Sequence, residues 1–201
     1  MNYFLRVAAY LFHPLLIPAM GVFIYYMITP RFLSMELAQS SLFAVVIITI
    51  FIPVITFFLL KNLGVVNSIH LPEVKERKIP LMIQSLLLLL IIKLVFDPYD
   101  SPELYYFFIG VLLSALSALV LGIFGFKASL HQMGISGLTM FIIALSVYFQ
   151  VNLLLGIGFF LFANGWVASS RLHTKSHTYP ELIVGFFVGV IPQLLVLNYW
   201  L

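Results

Sequence analysis

The segment 170–181 holds side chains suited to catalysis on an anionic substrate. It contains Arg171, His177 and Glu181, and it lies between two long apolar stretches. The guanidinium of Arg171 can donate two hydrogen bonds to one phosphate group. His177 can act as a nucleophile or as an acid–base, and Glu181, four residues later, can accept its hydrogen bond and fix its tautomer. Pro180 suits the first turn of the helix that follows.

Two further segments add cations and a second histidine. In the segment 127–134, Ser129 can cap the next helix, and the free N–H groups of that helix would face an anion. His131 can protonate a leaving oxygen. The segment 73–80 places three cations in four positions before Pro80, namely Lys75, Arg77 and Lys78. Considered alone, this last cluster is typical of the basic flank of a membrane helix.

The composition places these segments in a membrane protein. Of the 201 residues, 63% are hydrophobic and only 8% are charged, and the mean hydropathy is +1.14. A soluble domain carries about a quarter charged residues, so a soluble or disordered chain is excluded, and there is no basic soluble face to bind nucleic acid. The absence of cysteine excludes disulfides, thiolate nucleophiles and Cys-ligated zinc.

Long uncharged stretches predict seven helices, because a membrane span needs about 20 apolar residues. The run 128–170 is long enough for a helical pair, with a hairpin at 150–152. The predicted helices cover about 5–29, 39–61, 80–96, 104–125, 135–150, 152–169 and 182–200. His13 and Pro14 predict a kink in the first. We therefore expect one domain, residues 1–201, that is all-α: a polytopic integral membrane bundle of six to seven transmembrane helices.

Alternating helices put the loops on two faces of unequal charge. One face collects eight of the ten basic residues and four of the five histidines. These are Arg6, Lys61, Lys75, Arg77, Lys78, Lys127, Arg171 and Lys175, with His70, His131, His173 and His177. The positive-inside rule explains the cations as cytoplasmic loop charges. It does not explain the histidines, which favour a convergent cationic site for phosphate, carboxylate or anionic lipid head groups.

The last segment resembles a signature of the type 2 phosphatidic acid phosphatase superfamily. Ser170 and Arg171 are followed by five residues, His177, three residues and an acid. This spacing is similar to the third signature of the family, S-R-x5-H-x3-D. Glu181 stands where the family has Asp, which keeps the carboxylate and lengthens its reach by one methylene.

The other two segments resemble the remaining signatures of this family, in the same order. The residues 128–131, Ala-Ser-Leu-His, are similar to P-S-G-H, with alanine and leucine in place of the proline and the glycine. The basic stretch before Pro80 resembles a compressed form of K-x6-R-P. Together the three cover roughly residues 75–185, which is most of the helical core.

The resemblance implies a phosphohydrolase that uses no metal and no other cofactor. His177 would attack phosphorus and form a phosphohistidine, Glu181 would orient it, and His131 would protonate the leaving group. The phosphoryl oxygens would be held by Lys75, Arg77, Lys78, Ser129 and Arg171. Positioning and charge neutralisation are most of what phosphoryl transfer requires, so these cations can replace Mg²⁺.

The resemblance also implies a substrate and a location. The substrate is expected to be a lipid phosphate or isoprenyl diphosphate drawn from among the membrane lipids. Bacterial members of the family carry their site on the outer face of the cytoplasmic membrane, and we expect the same here, although positive-inside counting places this face in the cytoplasm.

Three alternatives stay open. His173, His177 and Glu181 recur at i, i+4 and i+8, a zinc-ligand spacing, although Pro180 interrupts the helix and basic residues surround it. A transporter or binding protein for an anionic lipid or metabolite would use the cations without catalysis, but the sequence shows no inverted repeat. An enzyme fold that has lost activity is the third.

Overall fold

The computed structural model describes residues 2–32, 34–66 and 74–201, apart from the side chains of Asn2 and Lys75. Within these ranges every regular element is helical and no strand occurs, which confirms the all-α class. The α-helices are α1 (Asn2–Leu11), α2 (Ile17–Ile28), α3 (Met35–Val46), α4 (Ile52–Asn62), α5 (Lys78–Leu94), α6 (Pro102–Ile123), α7 (Leu130–Phe149), α8 (Leu154–His173) and α9 (Tyr179–Leu197). A single 3₁₀ turn, Lys75–Arg77, leads into α5.

Among the described residues, four helices are long and apolar enough to cross a membrane. They are Met35–Asn62, Pro102–Ile123, Leu130–Phe149 and Tyr179–Leu197. The helix Ile17–Ile28 is apolar but shorter. These helices indicate a membrane protein, while the predicted total of six to seven spans stays a prediction.

The first predicted helix, 5–29, is two helices rather than one kinked helix. The chain leaves helical geometry between α1 and α2, where Pro14 supplies no N–H and disfavours the helical region for His13. A turn replaces the missing helical bonds, with the N–H of Leu16 donating to the carbonyl oxygen of His13 at 2.8 Å. The break lets α1 pack against α8, where Phe4 stacks on Trp166.

The second predicted helix contains a widened turn. The residues Ile47–Phe51 form a π-helical turn that joins α3 to α4, so that Met35–Asn62 is one continuous helix. The turn lies just before Pro53, whose ring would clash with the carbonyl four residues earlier in a regular α-helix. We attribute the widened turn to this proline.

The helices α7 and α9 approach each other closely because small residues face each other. A Cβ atom added to Gly137 would lie 3.2 Å from the carbonyl oxygen of Gly189. Nearer the start of α9, a Cβ added to Gly185 would lie 2.8 Å from the carbonyl oxygen of Ser129. The start of α9 is therefore held against the loop that precedes α7.

The helix ends follow local signals. The side chain of Ser129 accepts a hydrogen bond from the N–H of Gln132 at 3.4 Å and caps α7, as predicted. The helix begins at Leu130 rather than near 135. The predicted hairpin after α7 is confirmed, with Gln150 in the left-handed region at φ 54°. Pro180 lies in the first turn of α9, as expected.

A buried ion pair joins the loops near the far end of α7. The carboxylate of Glu103, which is fully buried, lies 2.7 Å from Arg31. Its second oxygen accepts a hydrogen bond from the hydroxyl of Tyr25 at 3.2 Å, and Arg31 also donates to the hydroxyl of Tyr148 at 3.2 Å. This pair fixes the connection after α2 to the start of α6.

Candidate functional site

The three segments predicted to carry the chemistry meet at one end of the bundle. The backbone N–H of Ser129 donates to the carbonyl oxygen of Glu181 at 3.1 Å. The ammonium of Lys127 donates to the carbonyl oxygen of Ser176 at 3.2 Å. Arg77 donates to the carbonyl oxygen of Ala128 at 3.3 Å. The loop 124–129 therefore contacts both the 3₁₀ turn before α5 and the loop that joins α8 to α9.

His177 and Glu181 form a hydrogen-bonded pair at the start of α9. The Nδ1 atom of His177 lies 2.9 Å from Oε2 of Glu181. The same oxygen accepts the N–H of Thr178 at 3.0 Å, which is half of a helix capping box. Because a carboxylate only accepts, the imidazole carries its proton on Nδ1, and Nε2 keeps a free electron pair.

The surroundings of His177 keep its imidazole neutral. Only 7% of the residue is exposed, and this burial lowers its pKa to about 4. The hydrogen bond to Glu181 acts in the opposite direction, while the charges of Arg77 and Lys127 lower the pKa further. At neutral pH the free electron pair on Nε2 is thus available for nucleophilic attack.

Two cations, Arg77 and Lys127, act on His177, and a third, Arg171, acts on both of them. Burial lowers the pKa of Arg77, and nearby Arg171 lowers it further against the favourable charge of Glu181. Burial also lowers the pKa of Lys127, again with contributions from Arg77 and Arg171. Like charges at this spacing repel each other, so a bound anion would relieve the repulsion.

Two polar atoms of the predicted Ser-Arg motif are buried without a hydrogen-bond partner in the described part of the chain. They are Oγ of Ser170, a residue with no exposed surface, and Nε of Arg171. A buried donor that makes no hydrogen bond costs about 1–3 kcal/mol. A ligand that reaches Arg171 would recover part of that cost.

A cavity of about 370 Å³ opens beside the pair. It is lined by Lys127, Leu172, Lys175, Ser176, His177, Thr178 and Glu181. This volume lies within the range of small-molecule sites. It is ample for a phosphate or diphosphate head group.

Arg77 and Arg171 are not among the residues that line this cavity, and the other predicted phosphate ligands also occupy different places. Ser129 is fully buried, and its hydroxyl caps α7 while its N–H bonds to Glu181. Lys78 is half-buried at the start of α5 and is not among the residues that line the cavity. The side chain of Lys75 lies outside the description of the structure. Their roles at a phosphate stay predictions.

His131 is not among the residues that line the cavity beside His177. Its Nε2 atom lies 3.1 Å from the carbonyl oxygen of Ala9, which can only accept, so Nε2 carries the proton. Its ring makes an edge-to-face contact with His13, with centroids 5.3 Å apart. The N-terminal segment thus holds the imidazole, and the expected role of His131 as a proton donor stays a prediction.

The zinc-ligand alternative receives no geometric support from the described residues. His173 is exposed at the last position of α8, whereas His177 is buried beyond the turn. In the described ranges, no three histidine, aspartate or glutamate side chains come together as a metal-ligand group. His70 lies outside those ranges.

Lys127 lines the cavity, although the sequence motifs do not indicate it as a site residue. It precedes Ser129 by two residues, and from the sequence it is only one of the eight cations on the more basic face. The short loop before the capped start of α7 is the signal that could have indicated it, because such a loop carries its side chains to the helix N-terminus.

Comparisons with protein-family models, with curated proteins and with solved structures found no match for this chain. The phosphatase resemblance therefore depends on the three motifs alone. The structure adds that the segments that carry these motifs are in contact at one end of the bundle.

Proposed function

We propose that the protein is an integral membrane phosphatase of lipid phosphates or diphosphates that works through a phosphohistidine. The observation that carries the proposal is the hydrogen bond from His177 to Glu181 at a cavity lined by cations. This arrangement supplies a neutral nucleophile, a carboxylate that stabilises the positive charge that develops on that nucleophile, and positive groups for the phosphoryl oxygens. No metal or other cofactor has a part in the mechanism.

The reaction would begin with attack of Nε2 of His177 on phosphorus. The imidazole becomes cationic as the P–N bond forms, and Glu181 stabilises that charge through the proton on Nδ1. Arg77 and Arg171 would neutralise the equatorial oxygens, which is the main electrostatic requirement of phosphoryl transfer. Water would then hydrolyse the phosphohistidine and release inorganic phosphate.

The substrate would present its head group at the loops and its hydrocarbon chain to the bundle. Isoprenyl diphosphates, phosphatidic acid and phosphatidylglycerol phosphate all have this form. The chain is proposed to act as a single transmembrane domain of six to seven spans in the cytoplasmic membrane, with the site on the outer face.

The test is release of inorganic phosphate from these lipids by the purified protein in detergent with EDTA. We expect release by the wild type and none by His177→Ala. His173→Ala is the matched control, because it removes an exposed histidine four residues upstream. We expect this control to keep its activity.

Three results would contradict the proposal. Full turnover by His177→Ala would exclude the nucleophile. Release that EDTA and His173→Ala both abolish would favour a metal site. Binding of phosphate without any release would favour a binding or transport protein.

A further inference from the structure

When the substrate is a lipid monophosphate, the reaction proposed above needs a proton donor at the oxygen that leaves phosphorus. An alkoxide is a poor leaving group, so general acid catalysis of this step is worth about 10²–10⁴-fold. His177 is unsuitable because it is the nucleophile and its one proton is bonded to Glu181. The guanidinium groups of Arg77 and Arg171 hold their protons too tightly to transfer them.

His131 does not satisfy this requirement in the observed arrangement. Its proton lies on Nε2 and is donated to the carbonyl oxygen of Ala9, on an element other than those that line the cavity. The neighbouring imidazole of His13 also packs against it, and Nδ1 of His13 already accepts the N–H of Leu15 at 3.3 Å. His131 is therefore fixed to the N-terminal segment.

We propose that Lys127 is the catalytic residue that protonates the leaving oxygen and then activates the attacking water. This inference rests on the proposed function. It adds to that function the residue that transfers the proton.

The position of Lys127 is well defined. Its side chain lines the same cavity as His177 and Glu181, and one of its three ammonium protons is donated to the carbonyl oxygen of Ser176, next to His177. Its backbone is fixed as well, because the following Ala128 is buried and its carbonyl oxygen accepts a hydrogen bond from Arg77. Two ammonium protons remain for a substrate oxygen.

The charges around Lys127 favour transfer of its proton. Burial lowers its pKa, and the charges of Arg77 and Arg171 lower it further, while Glu181 opposes them. A lysine tuned in this direction is a better acid than a solvated one. Lys175, the other lysine at the cavity, is exposed.

Lys127 transfers a proton in both steps of the reaction. Nε2 of His177 forms the P–N bond as the P–O bond breaks, the electron pair goes to the leaving oxygen, and that oxygen takes a proton from the Lys127 ammonium. In the second step water forms a P–O bond, and the neutral Lys127 amine takes its proton. The P–N bond breaks and its electron pair returns to His177. Phosphate leaves, and both side chains regain their starting states.

The test compares two probes that differ in their need for a proton. One is a long-chain alkyl phosphate, and the other is a nitrophenyl phosphate that carries the same chain and loses a stable phenolate. The informative variant is Lys127→Arg, which keeps the positive charge and the hydrogen-bond donors but does not release a proton at neutral pH. Lys175→Arg is the matched control, and His131→Ala and His177→Ala are measured beside it.

We expect Lys127→Arg to lower kcat/KM for the alkyl phosphate by about 10²-fold or more, and for the aryl phosphate by less than about 10-fold. Retained aryl activity also shows that the variant is folded. Lys175→Arg is expected to lower both rates equally, if at all. Wild-type hydrolysis of the alkyl probe should decline at alkaline pH as the Lys127 ammonium loses its proton, and this decline should be absent in Lys127→Arg.

An equal loss on both probes would overturn the inference and leave Lys127 as an ordinary phosphate ligand. So would a selective loss on the alkyl probe in His131→Ala but not in Lys127→Arg. In either case, inactivity of His177→Ala would still support the phosphohistidine. If the wild type releases no phosphate from either probe, or if His177→Ala remains active, the proposed function itself fails.

Discussion

Replacing Gly185 by alanine tests whether close approach of α9 to the loop before α7 builds the site. The added methyl carbon would lie 2.8 Å from the carbonyl oxygen of Ser129 and 3.1 Å from its nitrogen. That oxygen is fixed, because it accepts the N–H of Met133 in the first turn of α7. The backbones must therefore separate by about half an ångström to reach ordinary van der Waals distance.

The energetic cost follows from this displacement. The hydrogen bond from Ser129 to the carbonyl oxygen of Glu181, now 3.1 Å, would lengthen beyond hydrogen-bonding range and forfeit about 1 kcal/mol. Overpacking adds about 1–3 kcal/mol, and the better helix propensity of alanine returns about 1 kcal/mol. The net loss in the free energy of unfolding is about 1–3 kcal/mol, or a fall in Tm of about 5 °C for a chain of this size.

The matched control is Gly165→Ala in α8, where an added methyl group meets nothing within 4 Å. It should be neutral or stabilising by up to about 1 kcal/mol, since it gains helix propensity without a clash. The assay is thermal unfolding of both variants in the same detergent, followed by phosphate release. We expect Gly185→Ala to lose about 10-fold in kcat, because a shift of 1 Å in catalytic groups can cost about 10²-fold. Equal Tm values for the two variants would refute the packing argument.

Four further predictions concern ionisable groups. Glu181→Asp should be mild and Glu181→Ala severe in phosphate release, with about 10²-fold or more lost in the latter, because the alanine leaves His177 without its acceptor; similar rates for the two variants would contradict this. The lowered pKa of His177, about 4, means that kcat/KM should hold from neutral pH down to about 5 and fall below it, as a pH–rate profile would show. Because the pKa of His177 is lower in the folded protein than in the unfolded chain, acid lowers the free energy of unfolding. The loss reaches about 3 kcal/mol and occurs as the pH falls from about 6.5 to 4. His177→Gln should therefore flatten that part of a stability–pH curve. Arg31→Met should lower the free energy of unfolding by about 2 kcal/mol because it leaves the buried carboxylate of Glu103 without its cation, and Glu103→Gln in the same chain should restore part of the loss in a chemical unfolding titration.

The sequence predicts most of the helical architecture because its signals there are local. Apolar runs, the cap at Ser129 and Pro180 in the first turn of α9 each depend on neighbouring residues alone. The pair of His177 and Glu181 is also local, because a spacing of four residues across a helix start lets a single turn bring the side chains together. These features need no knowledge of the rest of the fold.

The remaining features depend on contacts between distant segments. The sequence does not show that the carbonyl oxygen of Ala9 holds His131, because that contact joins residues 122 positions apart. Lys127 lines the cavity because contacts with Arg77 and with Glu181 fix the loop that carries it. From the sequence, Pro14 predicts a kink but not its extent, and the structure has a break between α1 and α2.

In the proposed mechanism, the double use of one Glu181 oxygen would link fraying of α9 to catalytic activity. The oxygen that orients His177 also closes the first turn of α9, so the imidazole loses its orienting partner whenever that turn melts. Under that mechanism, only molecules with this turn formed could react, and their fraction is set by a local equilibrium separate from global unfolding. Amide exchange at Leu182, whose N–H donates to the carbonyl oxygen of Thr178 at 3.1 Å, would report that fraction directly. Any ligand that holds the turn closed would raise activity without touching the reacting atoms.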